Sequence, residues 1–287
     1  MSSVPDALTC FSWNVQQHAT AGTRCTAAGI DYDTYLITTV VGFVQQVETN
    51  AVVIGLQGVC TTTFRLLKQE LTTRYPKRVI FHFSPHSSTA AHWQAHYESE
   101  CCGEPAAHSM YGNMIIYLPP KRDRAVLATS ARIHCDSYEL EQASSAMPCV
   151  CIRHADDTTL QLVCIHLANT ETLRAEQQAQ LSRVLCSASA DLTIVTGVLG
   201  TGACMLPGYT ELLAETVAET YPSTNPTRAV SDSWAISPLC KGLLVRHARA
   251  SAVRLLHVEH VSAHLPTARD ISLCSGRGKM RDACTLC

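Results

Sequence analysis

Short apolar runs alternate with stretches of helical periodicity along most of this chain. Ala7 to Val15 (ALTCFSWNV) reads as a first strand. From Asp31 to Thr49, Tyr35, Ile37, Val40, Val41, Phe43, Val44 and Val47 recur at the spacing of one helix face. Val52 to Gln57 is an apolar run short enough for a buried strand, and Thr61 to Leu71 returns to helical spacing. Strands are expected at Arg78 to Phe83, Asn113 to Leu118, Ala125 to His134, Met147 to Arg153 and Leu160 to His166. Glu171 to Leu185 places Leu173, Leu181, Val184 and Leu185 on one side of a helix, and Leu192 to Thr196 is a strand. Leu206 to Val217 is expected to be helical, followed by a Pro- and Thr-rich loop to Val230. Leu243 to Val245, Ala252 to Val258 and the stretch after His264 supply the last strands.

This order describes an α/β chain with added hairpins, whose sheets pack against flanking helices. Periodicity alone is equally compatible with a doubly wound sheet. With no internal linker in evidence, residues 1–270 are expected to form one domain and 271–287 a basic, Cys-containing tail. At 46% hydrophobic and 16% charged residues, the chain is globular with an extensive core rather than disordered. The formal net charge of −2 does not indicate a nucleic-acid binder. Charge is uneven, however: residues 241–287 carry +5 and the first 240 carry −7. That basic end suits phosphate, an anionic lipid or an acidic partner, or simply a solvated surface. MSSVPDALTC lacks the basic start and apolar core of a secretory signal. No apolar run approaches the ~18 residues of a membrane span. The fifteen scattered cysteines are therefore expected as reduced thiols in an intracellular compartment, cytoplasmic or nuclear, mostly as small buried hydrophobes.

Several short motifs stand in a telling order: FSWNVQQ (Phe11 to Gln17), VVIGLQGVC (Val52 to Cys60), YGNMIIY (Tyr111 to Tyr117), CIHL (Cys164 to Leu167), TIVTGVLG (Thr193 to Gly200) and VSAHLP (Val261 to Pro266). Arg174 and Gln177 follow CIHL on a helix. Together these resemble the endonuclease/exonuclease/phosphatase superfamily, which reads W-N, L-Q-E, G-N-A-I-x-Y, T-H-L with R-x-x-Q, G-D-x-N and S-D-H in that sequence. The resemblance spans about Thr9 to Pro266. It implies a deoxyribonuclease-I-like fold: a four-layer α-β-β-α sandwich, two mixed and mostly antiparallel sheets flanked by helices.

The resemblance also implies a metal-dependent phosphodiesterase site, and most of its acids are replaced. Hydrolysis of a phosphate ester needs charge neutralisation on the phosphoryl oxygens and an activated water. Members use Mg²⁺, held by one or two carboxylates with water and substrate. The metal-binding Glu of L-Q-E corresponds here to Gly58. The Asp and Asn of G-D-x-N correspond to Val198 and Gly200, and the Asp of S-D-H to Ala263. The strand that would give the last His its Asp partner resembles KGLLVR (Lys241 to Arg246), which holds no acid. Asn14, His166 and His264 survive as catalytic-site positions; each could equally be a satisfied polar residue at a strand end. Asp232 and Glu259 lie closest in sequence to the last motifs but not at family positions.

Two further constellations stand apart. The polar segment from Ser84 to Met110 holds His92, His96, Glu98, Cys101 and Cys102, with His86 and His108 at its margins. His at i and i+4 with nearby thiols is a zinc pattern, although the segment lacks the usual C-x-x-C pairing and an exposed His-rich loop explains it as well. The chain ends Cys284-Thr285-Leu286-Cys287, the form of a prenylation box, with Arg277, Lys279 and Arg281 upstream. Lipid plus basic residues would give peripheral membrane association. The competing readings are a frayed tail or, with Cys274, a partial metal site.

The leading expectation is a catalytically inactive member acting as a scaffold or binding and regulatory protein, with a protein partner and no cofactor. The alternatives are a Mg²⁺-dependent phosphodiesterase or phosphatase with a remodelled site, acting on nucleic acid, phosphoinositide or sphingolipid, and a sensor that holds a phosphorylated ligand without cleaving it.

Overall fold

In this computed structural model the described residues are 7–15, 31–47, 50–76, 78–86, 110–120, 132–140, 145–154, 157–168, 170–187, 190–198, 210–211, 242–246, 248–250, 254–255 and 267–273. Their strands form two sheets. The first is built from β1 (Ala7–Asn14), β2 (Ala51–Cys60), β3 (Ile80–Pro85), β4 (Tyr111–Leu118), β11 (Ala248–Ala250), β12 (Arg254–Leu255) and β13 (Thr267–Leu273). Its order is β11-β13-β1-β2-β4-β3, with β12 also pairing to β13. The second contains β5 (Arg132–Leu140), β6 (Ser145–Arg153), β7 (Thr159–His166), β8 (Leu192–Val198), β9 (Thr210–Glu211) and β10 (Gly242–Arg246), in the order β5-β6-β7-β8-β10-β9. β1 and β2 run parallel, as do β7 and β8; the other described pairings are antiparallel.

Among the described residues three helices join them: α1 (Tyr32–Val47), α2 (Thr61–Arg74) and α3 (Glu171–Ser187). α1 starts where Asp31 accepts the backbone N–H groups of Asp33 and Thr34 through its carboxylate oxygens, both at 3.0 Å. That cap replaces hydrogen bonds the first turn cannot make internally, and it holds the Asp31 carboxyl below its ordinary value despite the opposing effect of burial.

The alternation of each strand sorts its side chains into layers. Phe11, Trp13, Val52, Ile54 and Leu56 face α1 and α2, packing on Leu36, Val40, Val44, Leu67 and Leu71. Leu8, Cys10, Ala51 and Val53 face the other way and meet Leu160, Leu162, Cys164, Leu192 and Ile194 of the second sheet. Behind that sheet, Met147, Val163, Ile165 and Val195 pack on Leu181, Val184 and Leu185 of α3. The arrangement is the four-layer α-β-β-α sandwich, and it settles the choice that periodicity left open. At Gly55 the sheets approach so closely that any Cβ would overlap the Thr196 side chain.

Two expectations need correction. Of the strand placed at Ala125 to His134, Arg132 to His134 open a strand that runs on to Leu140, past the expected end, and residues 125–131 lie outside the described residues. It is the edge strand β5, where exposed Arg132, His134 and Ser137 mask the apolar pattern. Within the expected helix from Leu206 to Val217, Thr210 and Glu211 are instead strand, paired with Val245 and Leu244; the rest of that stretch lies outside the described residues. β13, the last of the described strands, carries sheet pairing to Leu273. Among the described residues no helix is long and apolar enough to cross a membrane.

Candidate functional site

The C-terminal ends of the two parallel pairs lie at the same end of the sandwich. Asn14 ends β1 in register with Gln57 of β2, and His166 ends β7 in register with Val198 of β8. Alternation from Leu8 and Cys10 points Asn14 toward the opposite sheet, and alternation from Leu162 and Cys164 does the same for His166. The sheets are joined beside them: Gln57 Nε2 donates to Cys164 Sγ at 3.1 Å, and the Cys164 thiol reaches the Leu56 carbonyl at 3.6 Å. Burial pushes that thiol up to about 11, against the lowering effect of the Gln57 and Thr196 hydrogen bonds, so it stays protonated at neutral pH.

His166 is held from behind. The Leu167 N–H donates to the Val198 carbonyl at 2.9 Å, and the Ala168 N–H donates to Gln177 Oε1 at 2.8 Å. Gln177 is fully buried on α3, so the R-x-x-Q resemblance has a structural basis: it fixes the chain leaving β7. The imidazole keeps some contact with solvent, yet burial lowers it to about 4, leaving it neutral at physiological pH.

Gly58 is more than a missing carboxylate. The β2–β4 register shifts between Leu56 and Val59, and Gly58 occupies this bulge at φ 70. Its N–H donates to Asn113 Oδ1 at 3.3 Å. Left-handed backbone is costly for a residue with a Cβ, by about 1–2 kcal/mol. Gly58→Glu is therefore expected to lower stability by about that amount, rather than restoring a metal ligand at no cost. Equilibrium urea unfolding measures it; an unchanged midpoint would contradict the bulge geometry.

These groups are poorly matched to Mg²⁺. They comprise one amide, a second amide occupied by a thiol, a protonated thiol, a neutral imidazole and a buried valine, whereas Mg²⁺ selects carboxylate and water oxygens. Among the described residues no three His, Cys, Asp or Glu side chains are placed to share a metal ion. His264, Ala263, Gly200, Asp232 and Glu259 lie outside the described residues, as do Cys284 and the proposed zinc ligands apart from His86. His86 accepts the Ala146 N–H through Nδ1 at 3.0 Å, which gives it a structural task.

Sequence reasoning passed over Gln57, Cys164 and Asn113 as site-shaping residues, although all three sit inside the quoted motifs. Asn113 links the layers directly, accepting from Gly58 and donating through Nδ2 to the Ala146 carbonyl at 2.8 Å. The signal that marks them is polarity inside otherwise apolar strands, since a buried amide requires partners.

No family model matches the sequence, and no curated protein sequence matches it. Solved structures do. A humanized D. rerio TDP2 carrying 14 mutations superposes with a TM-score of 0.58 at 12% identity, over 93% of this chain and 99% of that one. An endonuclease/exonuclease/phosphatase family protein from Bacteroides thetaiotaomicron gives 0.58 at 11% identity, over 97% and 99%. The inositol polyphosphate 5-phosphatase domain of spsynaptojanin, solved with inositol (1,4)-bisphosphate and a calcium ion, gives 0.53 at 10% identity, over 93% and 84%. The chain thus has the deoxyribonuclease-I-like fold of the endonuclease/exonuclease/phosphatase superfamily.

Proposed function

We propose that this protein is a non-catalytic representative of that fold, serving as a scaffold or binding and regulatory protein for another protein. The observation that carries the reading is the rebuilt end of β2. A left-handed bulge glycine, tied to Asn113, stands where the resemblance places the metal-binding glutamate. Val198, 1% exposed, stands where it places the acid that handles water. Valine can neither accept a proton nor orient a nucleophile. Asn14 and His166 remain as neutral polar groups at the strand ends. The apolar layers around the described motifs are intact, which supports folding retained where the chemistry is altered.

The test is hydrolysis by purified full-length protein of single- and double-stranded DNA, RNA, a phosphoinositide, sphingomyelin and a generic phosphodiester, each with Mg²⁺, Mn²⁺ or EDTA. The His166→Ala variant runs alongside. Wild type is expected to match the variant on every substrate. Metal-dependent turnover that disappears in His166→Ala would overturn the proposal and establish a remodelled enzyme.

A further inference from the structure

β5 ends the second sheet, and among the described residues it pairs with β6 alone. In an antiparallel ladder one residue turns its N–H and C=O to the same side, and the next residue turns them to the other. Ala146 of β6 turns both away from β5, to His86 and Asn113, and the His154 N–H likewise meets the Thr158 carbonyl on the β7 side. The residues of β6 that bond β5 are therefore Met147, Cys149, Cys151 and Arg153, whose partners are Tyr138, Asp136, His134 and Arg132. The peptide groups left on the free edge belong to Ile133, Cys135, Ser137 and Glu139, and the first three residues are exposed. Side chains divide in step. Those of His134, Asp136 and Tyr138 lie on the α3 side with Cys149 and Cys151. Ser137 turns to the opposite sheet, its hydroxyl 2.6 Å from Ser84 Oγ.

We propose that two copies of this chain associate edge to edge through β5, antiparallel, with the twofold axis at Cys135. The contact is isologous, so each pairing occurs twice. Cys135 faces Cys135 of the second copy, and Ile133 faces its Ser137. Every free N–H and C=O of these three residues then finds a partner, and the second sheet runs on into the second copy. Between these bonded positions His134 faces Asp136 of the second copy, at the closest side-chain spacing an antiparallel ladder offers. Within one chain the His134 and Asp136 side chains already meet at 2.9 Å. Across the axis the four side chains form a square of alternating sign. Arg132 faces Tyr138 beside it, and the exposed Ile133 is covered from the second copy by Ser137 and Cys135.

Charge complementarity selects both the occupant and the register. Charged side chains on an edge strand usually keep other strands away. On β5 their signs alternate instead, so a second β5 running the opposite way meets opposite charge. Moving the axis to Asp136 would press two carboxylates together at the closest spacing of the ladder. Moving it to His134 would carry Ser137 past the start of β5 and leave its peptide groups without a strand partner. The axis at Cys135 avoids both. This contact lies on the sheet edge and uses none of the groups at the strand ends, so it is independent of whether the fold is catalytic.

The experiment is sedimentation velocity of the reduced full-length protein over a wide range of concentration, and a monomer passing into a dimer is expected. Cys135→Pro removes the central donor of the contact at an N–H that faces solvent in one copy, where an edge strand tolerates proline. It should abolish the dimer while the thermal transition is retained. His134→Asp sets like charges opposite each other at two symmetry-related places and should weaken association by roughly tenfold or more. Adding Asp136→His exchanges the two partners and should restore it. That rescue distinguishes a charge-selected register from a folding defect, and it decides the matter if Cys135→Pro fails to fold. A protein that stays monomeric at every concentration would overturn the proposal, and so would a dimer that neither Cys135→Pro nor His134→Asp affects.

Discussion

Gly197→Ala is expected to destabilise this protein by about 3–5 kcal/mol, enough to unfold much of a marginally stable domain. Two independent costs meet at this residue. Its φ of 132 lies where residues with a Cβ are strained, at about 1–3 kcal/mol. A methyl group there would also overlap the carbonyl oxygen of Ile165, which is backbone of the adjacent parallel strand and cannot rotate aside. Relieving that overlap means separating β7 from β8, whose ladder pairs Ile165 with Gly197 and His166 with Val198. Overpacking of this kind adds about 1–3 kcal/mol. Gly42→Ala is the matched control. It lies in α1, where an added methyl would meet nothing within 4 Å, and should stabilise by about 0.5–1 kcal/mol through helix propensity. Urea unfolding of the two variants should move in opposite directions; a Gly197→Ala midpoint near wild type would show that β7 and β8 are not joined as described.

The second large effect is a pH dependence contributed by His166. Burial lowers its folded-state pKa from 6.5 to about 4. Between those values the unfolded chain binds a proton that the folded protein refuses, so stability rises with pH across the window. The contribution is fully present above about 6.5, drains away as pH falls, and levels off below about 4. The full shift corresponds to about 3 kcal/mol, and the solvent contact that His166 retains reduces the expected value to about 1.5–3 kcal/mol. His166→Asn has no such titration. The stability difference between wild type and variant should therefore shift toward the variant as pH is lowered from about 7.5 to about 4.5. A difference that stays constant over that range would refute the burial of this imidazole.

Much of this architecture is legible in the sequence, because apolar strands of the right length declare themselves and their motifs keep a recognisable order. β1, β2, β4, β7 and β8 fall within a few residues of their expected places. The misses share a cause. β5 is an edge strand with polar side chains along its exposed stretch, so the hydrophobic pattern points upstream of the segment that pairs. Thr210 and Glu211 are strand only because β10 lies beside them, a partner more than thirty residues away in sequence. The site divides in the same way. Asn14 and His166 stand at strand ends as the motifs suggest. The bulge at Gly58 and the Gln57–Cys164 contact depend on which sheet faces which, and no local pattern encodes that.

Asn113 and His86 have a mechanical consequence. From the first sheet, both reach the same backbone residue of β6: His86 takes the Ala146 N–H, and Asn113 gives to its carbonyl. The described β6–β7 pairing begins only at Cys149, so these side chains do the bonding that a strand neighbour would otherwise do. The two sheets are thereby latched at this corner like covers joined at a clasp. Prising them apart would strip both backbone polar groups of one buried residue, Ala146, of their partners at once. Any partner that engages this end must fit the rim as it stands, not wedge the layers open.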